Sequence, residues 1–357
     1  MIALYIASTE AFAGKTSLSI ALGKHLKREG LTVGYIKPLT TRVRQVGDQQ
    51  VSHDAEFICA ELELDQTLED IAPVALTTDV IEAEIRSPQI AGFYRGKLVA
   101  AYERVSTDRD VVILEGVGLP LEGSLLDLAA PQVIELFDAR VLVTVRYNDT
   151  LSVDVASGLR TFYHDRLVGI VLNAVPRSQT RFVQQVATPV LEDHEIPVLA
   201  VLPEERLLSS VSVKELIVQL NGECLCCDDH TDELVEYLTV GAMTAGSALE
   251  YFRRQPNKAV ITGGDRHDVQ LAALETSTRC LILTGNQRPS TVVLNRACEL
   301  KVPIVVVESD TLTTVRMIEP IFGKTFLRQP RKSAHFSTMF EERFDFRRFY
   351  EKLGLQL

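Results

Sequence analysis

The chain has 357 residues, 46% of them hydrophobic, with 48 acidic against 37 basic side chains and a formal net charge of −11. That length suits about two domains at roughly 150 residues each. The acidic balance leaves no electrostatic footprint for nucleic acid or an anionic membrane surface. The longest uncharged stretch, residues 237–249, falls short of the ~20 apolar residues that a membrane span requires.

Residues 2–7 form a short apolar run without polar alternation, as in a parallel strand buried on both faces. No Lys or Arg precedes Lys15, so a signal peptide is not expected. After a small-residue turn, residues 16–28 repeat apolar side chains at helical spacing (Leu18, Ala21, Leu22, Leu26), and Gly30 stands where a C′ glycine ends a helix. Residues 33–36 make the next strand, stopped by Pro38. Residues 110–114, 141–145 and 168–172 repeat the β-branched pattern, with longer polar-patterned segments between them. Strands alternating with helices predict an α/β fold, a parallel sheet with helices on both faces.

The pattern weakens over residues 203–212, which places a boundary near 207. A second βα series begins near Lys214. It gives strands at 259–262, 280–284 and 304–307 and helices at 268–275 and after Ser290. The expected division is therefore a nucleotide-binding domain over 1–207, a smaller α/β domain over 208–330 and a tail over 331–357. In the tail Phe336, Phe340 and Phe344 recur at i, i+4 spacing, followed by Phe346, Phe349 and Leu353. This predicts one amphipathic helix that docks on the body or on a second subunit.

The strongest chemical signal is the run from Ser8 to Thr16, STEAFAGKT, between the first strand and the first helix. Backbone N–H groups at a helix start point at phosphates, a lysine neutralises them, and a hydroxyl reaches Mg²⁺. Thr9 stands where the usual phosphate-loop pattern has Gly, and an ordinary small-residue turn is the alternative. The candidate nucleotide contacts are Thr9, Glu10, Ala13, Gly14, Lys15, Thr16 and Ser17. Thr16, Asp54 and Glu115 are candidate Mg²⁺ ligands, since Mg²⁺ takes oxygen donors and keeps several waters. Glu115 lies at the carboxyl edge of a strand, where open α/β sheets bind ligands. A solvated loop carboxylate is the alternative for Glu115, and a helix cap for Asp54. Asn173 offers an amide that can donate to and accept from one edge of adenine.

Thr9–Thr16, Gly34–Pro38 (GYIKP), Asp54, Glu115-Gly116 and Asn173 together resemble the dethiobiotin synthetase and cobyrinic acid a,c-diamide synthase branch of P-loop proteins. In that branch Thr is usual at the position of Thr9, whereas Ser8 departs from the Gly of dethiobiotin synthetases. The resemblance implies that Lys15 and Thr16 hold the phosphates and Mg²⁺, that Asp54 and Glu115 are the metal's carboxylates, and that Lys37 faces the acceptor substrate. It also implies that Asn173 faces adenine. Lys15 and Lys37 are then the catalytic candidates.

In the second half, residues 261–273 (ITGGDRHDVQLAA), with 240–243 (VGAM) before them and 283–285 (LTG) after, resemble the DRTGG domain. This pair of domains is the arrangement at the N-terminus of long phosphotransacetylases, whose acetyltransferase domain is not expected here. Gly263 and Gly264 could form an anion-binding concavity, with Asp265 as helix cap and Arg266 as counter-charge. The alternative is a tight turn whose glycines only supply positive φ. Cys224, Cys226, Cys227 and His230 contain one C-x-x-C spacing, but zinc needs four ligands and no second pair lies nearby; strand cysteines are expected.

These readings lead to a cytoplasmic protein, ATP- and Mg²⁺-binding, that regulates or senses metabolites and forms a homo-oligomer. Its partner would be a separate phosphotransacetylase or another enzyme of acetyl metabolism, with no nucleic-acid or membrane partner. An ATP-dependent ligase of the dethiobiotin synthetase or cobyrinic acid a,c-diamide synthase type is the alternative.

Overall fold

The computed structural model describes the chain except for residues 42, 47–48, 53, 88–90, 323–328 and 356–357. It divides into two compact units, Met1–Glu204 together with Leu327–Leu357, and Glu205–Phe326.

The first unit is built on β1 (Ile2–Ser8), α1 (Lys15–Arg28), β2 (Val33–Ile36), α2 (Ala55–Leu62), α3 (Ala91–Ser106) and β3 (Val111–Glu115). It continues through α4 (Ala130–Leu136), β4 (Arg140–Arg146), β5 (Leu167–Val175) and β6 (Val198–Pro203). Six strands pair in the order β6-β5-β4-β1-β3-β2, all parallel. Successive side chains of a strand point to opposite faces. On β1, Ala3, Tyr5 and Ala7 join a core with Leu98 and Tyr102 of α3 and Val133 of α4. Leu4 and Ile6 point to the other face and are fully buried. Each such aliphatic side chain stabilises the fold by about 1.5–3 kcal/mol through burial, and burial on both faces explains why β1 reads as an unbroken apolar run.

The second unit comprises α5 (Val213–Leu220), β7 (Glu223–Cys226), β8 (Tyr237–Val240), α6 (Ala245–Arg253), β9 (Lys258–Gly263) and α7 (His267–Leu274). After these come β10 (Thr278–Thr284), α8 (Thr291–Glu299), β11 (Ile304–Val306) and α9 (Thr311–Ile318). Five strands form its main sheet, in the order β7-β11-β10-β9-β8. All neighbours are parallel except the edge pair β7 and β11, which is antiparallel.

The tail corrects one expectation. It is two helices, α10 (Pro330–Glu341) and α11 (Phe346–Leu353), and both belong to the first unit. The break falls where Asp345 donates its N–H to the Leu199 carbonyl at 2.8 Å and caps α11 by accepting from the Arg348 N–H at 3.0 Å. The phenylalanine spacing runs across this turn because Phe340, Phe344, Phe346 and Phe349 form one aromatic cluster. α10 packs along α1. There His25 stacks on Phe346 with ring centroids 3.5 Å apart, and its ring nitrogens are hydrogen-bonded with Glu341 and Tyr350.

Arg348 of α11 holds Glu192 through two hydrogen bonds of 2.6 Å. Partial burial works against the Glu192 carboxylate, but the bonds from Arg348 and the Val198 N–H bring its pKa below the ordinary value. Because the folded value is depressed, this pair stabilises the fold above the unfolded carboxyl pKa, and the contribution is lost as pH falls through the folded value. Arg348→Ala is expected to cost about 1 kcal/mol, or roughly 3 °C in melting temperature at pH 7. A calorimetric scan at pH 7 and again at pH 3 checks this, and the difference between parent and variant should shrink in acid.

Candidate functional site

From β1 the chain passes to the edge strand β2 and returns to β3 between them, then crosses to the other side of β1 for β4, β5 and β6 in turn. The crevice at such a turning point lies outside the carboxyl ends of the strands. The loop after β1 opens there. It ends on Gly14, which is the N-cap of α1 with φ 101°, in the left-handed region that favours glycine. A Cβ on Gly14 would also stand 2.4 Å from Nδ2 of Asn173, so space and backbone both demand glycine.

Lys15 folds back across this loop. Its Nζ donates to Ser8 Oγ at 2.7 Å, and Ser8 in turn donates to the Glu10 carbonyl at 2.7 Å. Ser8, the departure noted in the sequence, is thus the group that parks the lysine. Lys15 is only 8% exposed. Burial pulls its ammonium down to about 8, against the pull of Glu115 and with the help of Lys37. One residue on, the Thr16 hydroxyl donates to Glu115 Oε1 at 2.7 Å.

Glu115 is the hub. It is the last residue of β3 and 1% exposed, so the solvated-loop alternative does not hold. Its second oxygen accepts from the Tyr35 hydroxyl at 2.8 Å, and Oε1 also accepts from Lys37 Nζ at 3.2 Å. Burial, together with the carboxylate beside it, pushes the Tyr35 hydroxyl well above its ordinary pKa, so Tyr35 stays a donor. Lys37 Nζ also lies 3.8 Å from Asp54 Oδ2. Asp54 is the N-cap of α2, but its side chain makes no cap bond; the carboxylate faces Lys37 instead. Lys15, Thr16, Lys37, Asp54 and Glu115 are therefore drawn into one polar cluster at the head of α1.

The loop itself is held from the strands beside β1. Thr144 Oγ1 and Asn173 Nδ2 both donate to the Ala13 carbonyl, at 3.0 and 2.9 Å. Asn173 Oδ1 accepts from the Ala174 N–H at 2.9 Å. A carboxamide carries two N–H groups and two lone pairs, so each end of Asn173 keeps one valence for a base edge. The strand does not end at Asn173 but runs to Val175. Sequence reasoning missed Thr144 and Asn148. The latter donates to both Glu10 carboxylate oxygens, at 3.0 and 3.2 Å. Neither carries a motif of its own. Thr9 and Glu10 are half-buried at the loop's outer rim, and Ser17 is half-buried in the first turn of α1.

In the second unit the Gly263–Arg266 turn lies between β9 and α7. Here the structure corrects two expectations. The N-cap of α7 is Arg266, and no side chain caps it, so Asp265 is not the cap. Neither Gly263 nor Gly264 has positive φ. Gly264 is needed for close approach, since a Cβ there would lie 2.2 Å from the Gln287 carbonyl oxygen. The turn's backbone is turned inward. Gly264 N–H donates to Thr284, and the buried Gln270 amide donates to the carbonyls of Gly263 and Gly264 at 2.9 and 3.1 Å. Arg266 donates to the Met243 carbonyl at 2.7 Å, while Asp265 is exposed.

A parallel sheet that carries a strand–loop–helix phosphate loop at its turning point defines a P-loop nucleotide-binding domain. The AAA domain family matches residues 3–212, more than half of the chain, and the chain belongs to that family. The DRTGG domain matches residues 215–321. The phosphate acetyltransferase of Pseudomonas putida is 24% identical over 355 residues, covering 94% of this chain and 49% of the relative. That of Nitratidesulfovibrio vulgaris is also 24% identical, with coverage of 96% and 50%. The ATP-dependent dethiobiotin synthetase of Methanococcus vannielii is 28% identical over 148 residues, 41% of this chain and 65% of that protein. The chain thus spans about half the length of the phosphate acetyltransferases it matches. Among the described residues no helix is long and apolar enough to cross a membrane.

Proposed function

We propose that the first unit binds ATP with Mg²⁺ and that the chain is a nucleotide-responsive regulatory module. It would resemble the N-terminal part of phosphate acetyltransferases and act on an enzyme of acetyl metabolism, as a homo-oligomer. The observation that carries this reading is the convergence of Lys15, Thr16 and Glu115 where β1 meets α1. Among the described residues the buried ammonium of Lys15 donates only to a neutral hydroxyl, that of Ser8, and a polyphosphate would supply an anion there. Thr16, Glu115 and Asp54 offer only hard oxygen donors, the set that suits Mg²⁺. When bound, that ion neutralises phosphate charge. Lys15 would orient the phosphates, Thr144 and Asn173 would hold the loop in register, and the remaining valences of Asn173 would meet adenine. A second ligand at Gly263, Gly264, Asp265 and Arg266 belongs to the same reading, with Asp265 and Arg266 as its side-chain contacts.

Lys37 favours a second reading, an ATP-dependent ligase. It stands between two carboxylates beside the phosphate loop, where it could steady an acceptor carboxylate or carbamate as the phosphoryl group arrives. Calorimetric titration with ATP–Mg²⁺ followed by an ADP-release assay separates the two. Binding with negligible turnover is expected. Stoichiometric ADP release on adding diaminopelargonic acid or cobyrinic acid would favour the ligase, and absence of binding would overturn both.

A further inference from the structure

Among the described residues, a group of three potential soft-metal ligands lies in the second unit. Cys226 closes β7, Cys227 follows it, and Cys298 comes from α8, far along the chain. Their three sulfurs all lie within 4.8 Å of one another. Sulfurs bound at ~2.3 Å to one tetrahedral or trigonal ion stand ~3.8–4.0 Å apart, so small side-chain adjustments bring these three to the spacing of a shared ion.

Consecutive strand residues point to opposite faces, and two adjacent thiols would normally diverge. Cys227 instead has φ 60°, in the left-handed region. That turn brings its sulfur round beside Cys226. The sulfurs' protein contacts are long: Cys226 Sγ donates to the Val302 carbonyl at 3.7 Å and Cys227 Sγ to the Ala297 carbonyl at 4.0 Å. Cys298 is exposed and gives an ion a way in from solvent.

We propose that Cys226, Cys227 and Cys298 form a three-thiolate site for one thiophilic d¹⁰ ion, Zn²⁺ or Cu⁺. Thiolates select these soft ions over Mg²⁺ or Ca²⁺. Three sulfurs complete a trigonal Cu⁺ site, or leave the fourth, tetrahedral position of Zn²⁺ to a solvent water at the open Cys298 side. Binding displaces the thiol protons to solvent and ties the edge strand β7 to α8. A disulfide is the competing fate of close cysteines. It requires an oxidant as well as a thiolate. An ion, by contrast, deprotonates its own ligands.

The test uses the reduced full-length chain stripped of metal. Titration with Co²⁺, a spectroscopic stand-in for Zn²⁺, is expected to give a thiolate charge-transfer band that saturates at one ion per chain and is abolished by Zn²⁺. Anaerobic Cu⁺ titration against a chelator forms the second arm, and the tighter ion is the one the site takes. Cys298→Ser, a change at an exposed position, should weaken binding at least 100-fold, and Cys227→Ser should do the same. Cys59→Ser, in the other unit, should leave it unchanged. Absence of the band together with no stoichiometric Cu⁺ uptake overturns the proposal. So does undiminished binding in both cluster variants, or a Cys226–Cys227 or Cys227–Cys298 disulfide in the freshly isolated protein. None of these outcomes bears on the phosphate loop.

Discussion

Lys15→Met is expected to weaken ATP binding severely and, in the same protein, to raise the melting temperature. Both effects have one cause. Folding carries the ammonium into a pocket where its pKa falls from the ordinary 10.5 to about 8, a difference of about 3 kcal/mol between protonation states. For a cation with a depressed folded pKa, the unfolded chain holds the extra proton between the two values, so stability rises as pH climbs from about 8 toward 10.5. At pH 7 the charged lysine therefore destabilises the ligand-free protein, and Met, of similar length without charge, removes that burden. A gain of about 5 °C is expected at pH 7, after allowing for the lost bond to Ser8. The gain should fade as the parent is titrated toward pH 10.

ATP affinity moves the opposite way. Phosphates favour the ammonium, so binding in the parent takes up a proton above about pH 8. Affinity should then fall by up to tenfold per pH unit beyond that point. At neutral pH the loss in Lys15→Met is expected to reach about 100-fold or more, the scale of a buried charge-assisted contact. Calorimetric titration of both proteins at pH 7 and 9 measures this. A variant that binds ATP–Mg²⁺ as the parent does would move the nucleotide site elsewhere.

The second large effect is expected at Glu115. Its carboxylate accepts from Thr16, Lys37 and Tyr35 at once, and it is almost wholly buried. Glu115→Gln keeps the shape but removes the charge and forces an N–H₂ toward at least one of three donors. Leaving a buried donor opposed in this way costs about 2–3 kcal/mol of stability. The functional signature is sharper. In the parent, Mg²⁺ is expected to strengthen ATP binding by at least tenfold, and in Glu115→Gln that enhancement should vanish while binding in excess EDTA changes little. Equal Mg²⁺ enhancement in both proteins would remove Glu115 from the metal site.

Legibility in the sequence followed the range of the interaction. β1, the loop and α1 are contiguous, and each leaves a local pattern: an apolar run, small residues with Gly-Lys-Thr, then helical spacing. Glu115 was readable because strand ends bind ligands in open parallel sheets. Its burial was not, since that comes from Tyr35 and Lys37 arriving from β2 and the residues just after it. Asp54 read equally as a cap, and only the folded chain turns its carboxylate to Lys37. The glycines at 263 and 264 suggested backbone freedom, yet the need at Gly264 is set by Gln287 on another segment. Cys298 is the sharpest case. Its nearness to Cys226 and Cys227 depends on α8 lying against the end of β7, and no spacing rule spans that separation. The tail's phenylalanines share one cluster, which made two helices look like one.

The first unit is discontinuous: its final two helices are synthesised only after the whole of the second unit. During translation the flank of α1 that carries Lys24, His25 and Arg28 waits for its partners on α10 and α11 while more than a hundred residues beyond β6 emerge. The Glu205–Phe326 segment is a guest threaded into a host. A cut between the units after Glu204 would therefore separate the phosphate-loop sheet from α10 and α11, which belong to it.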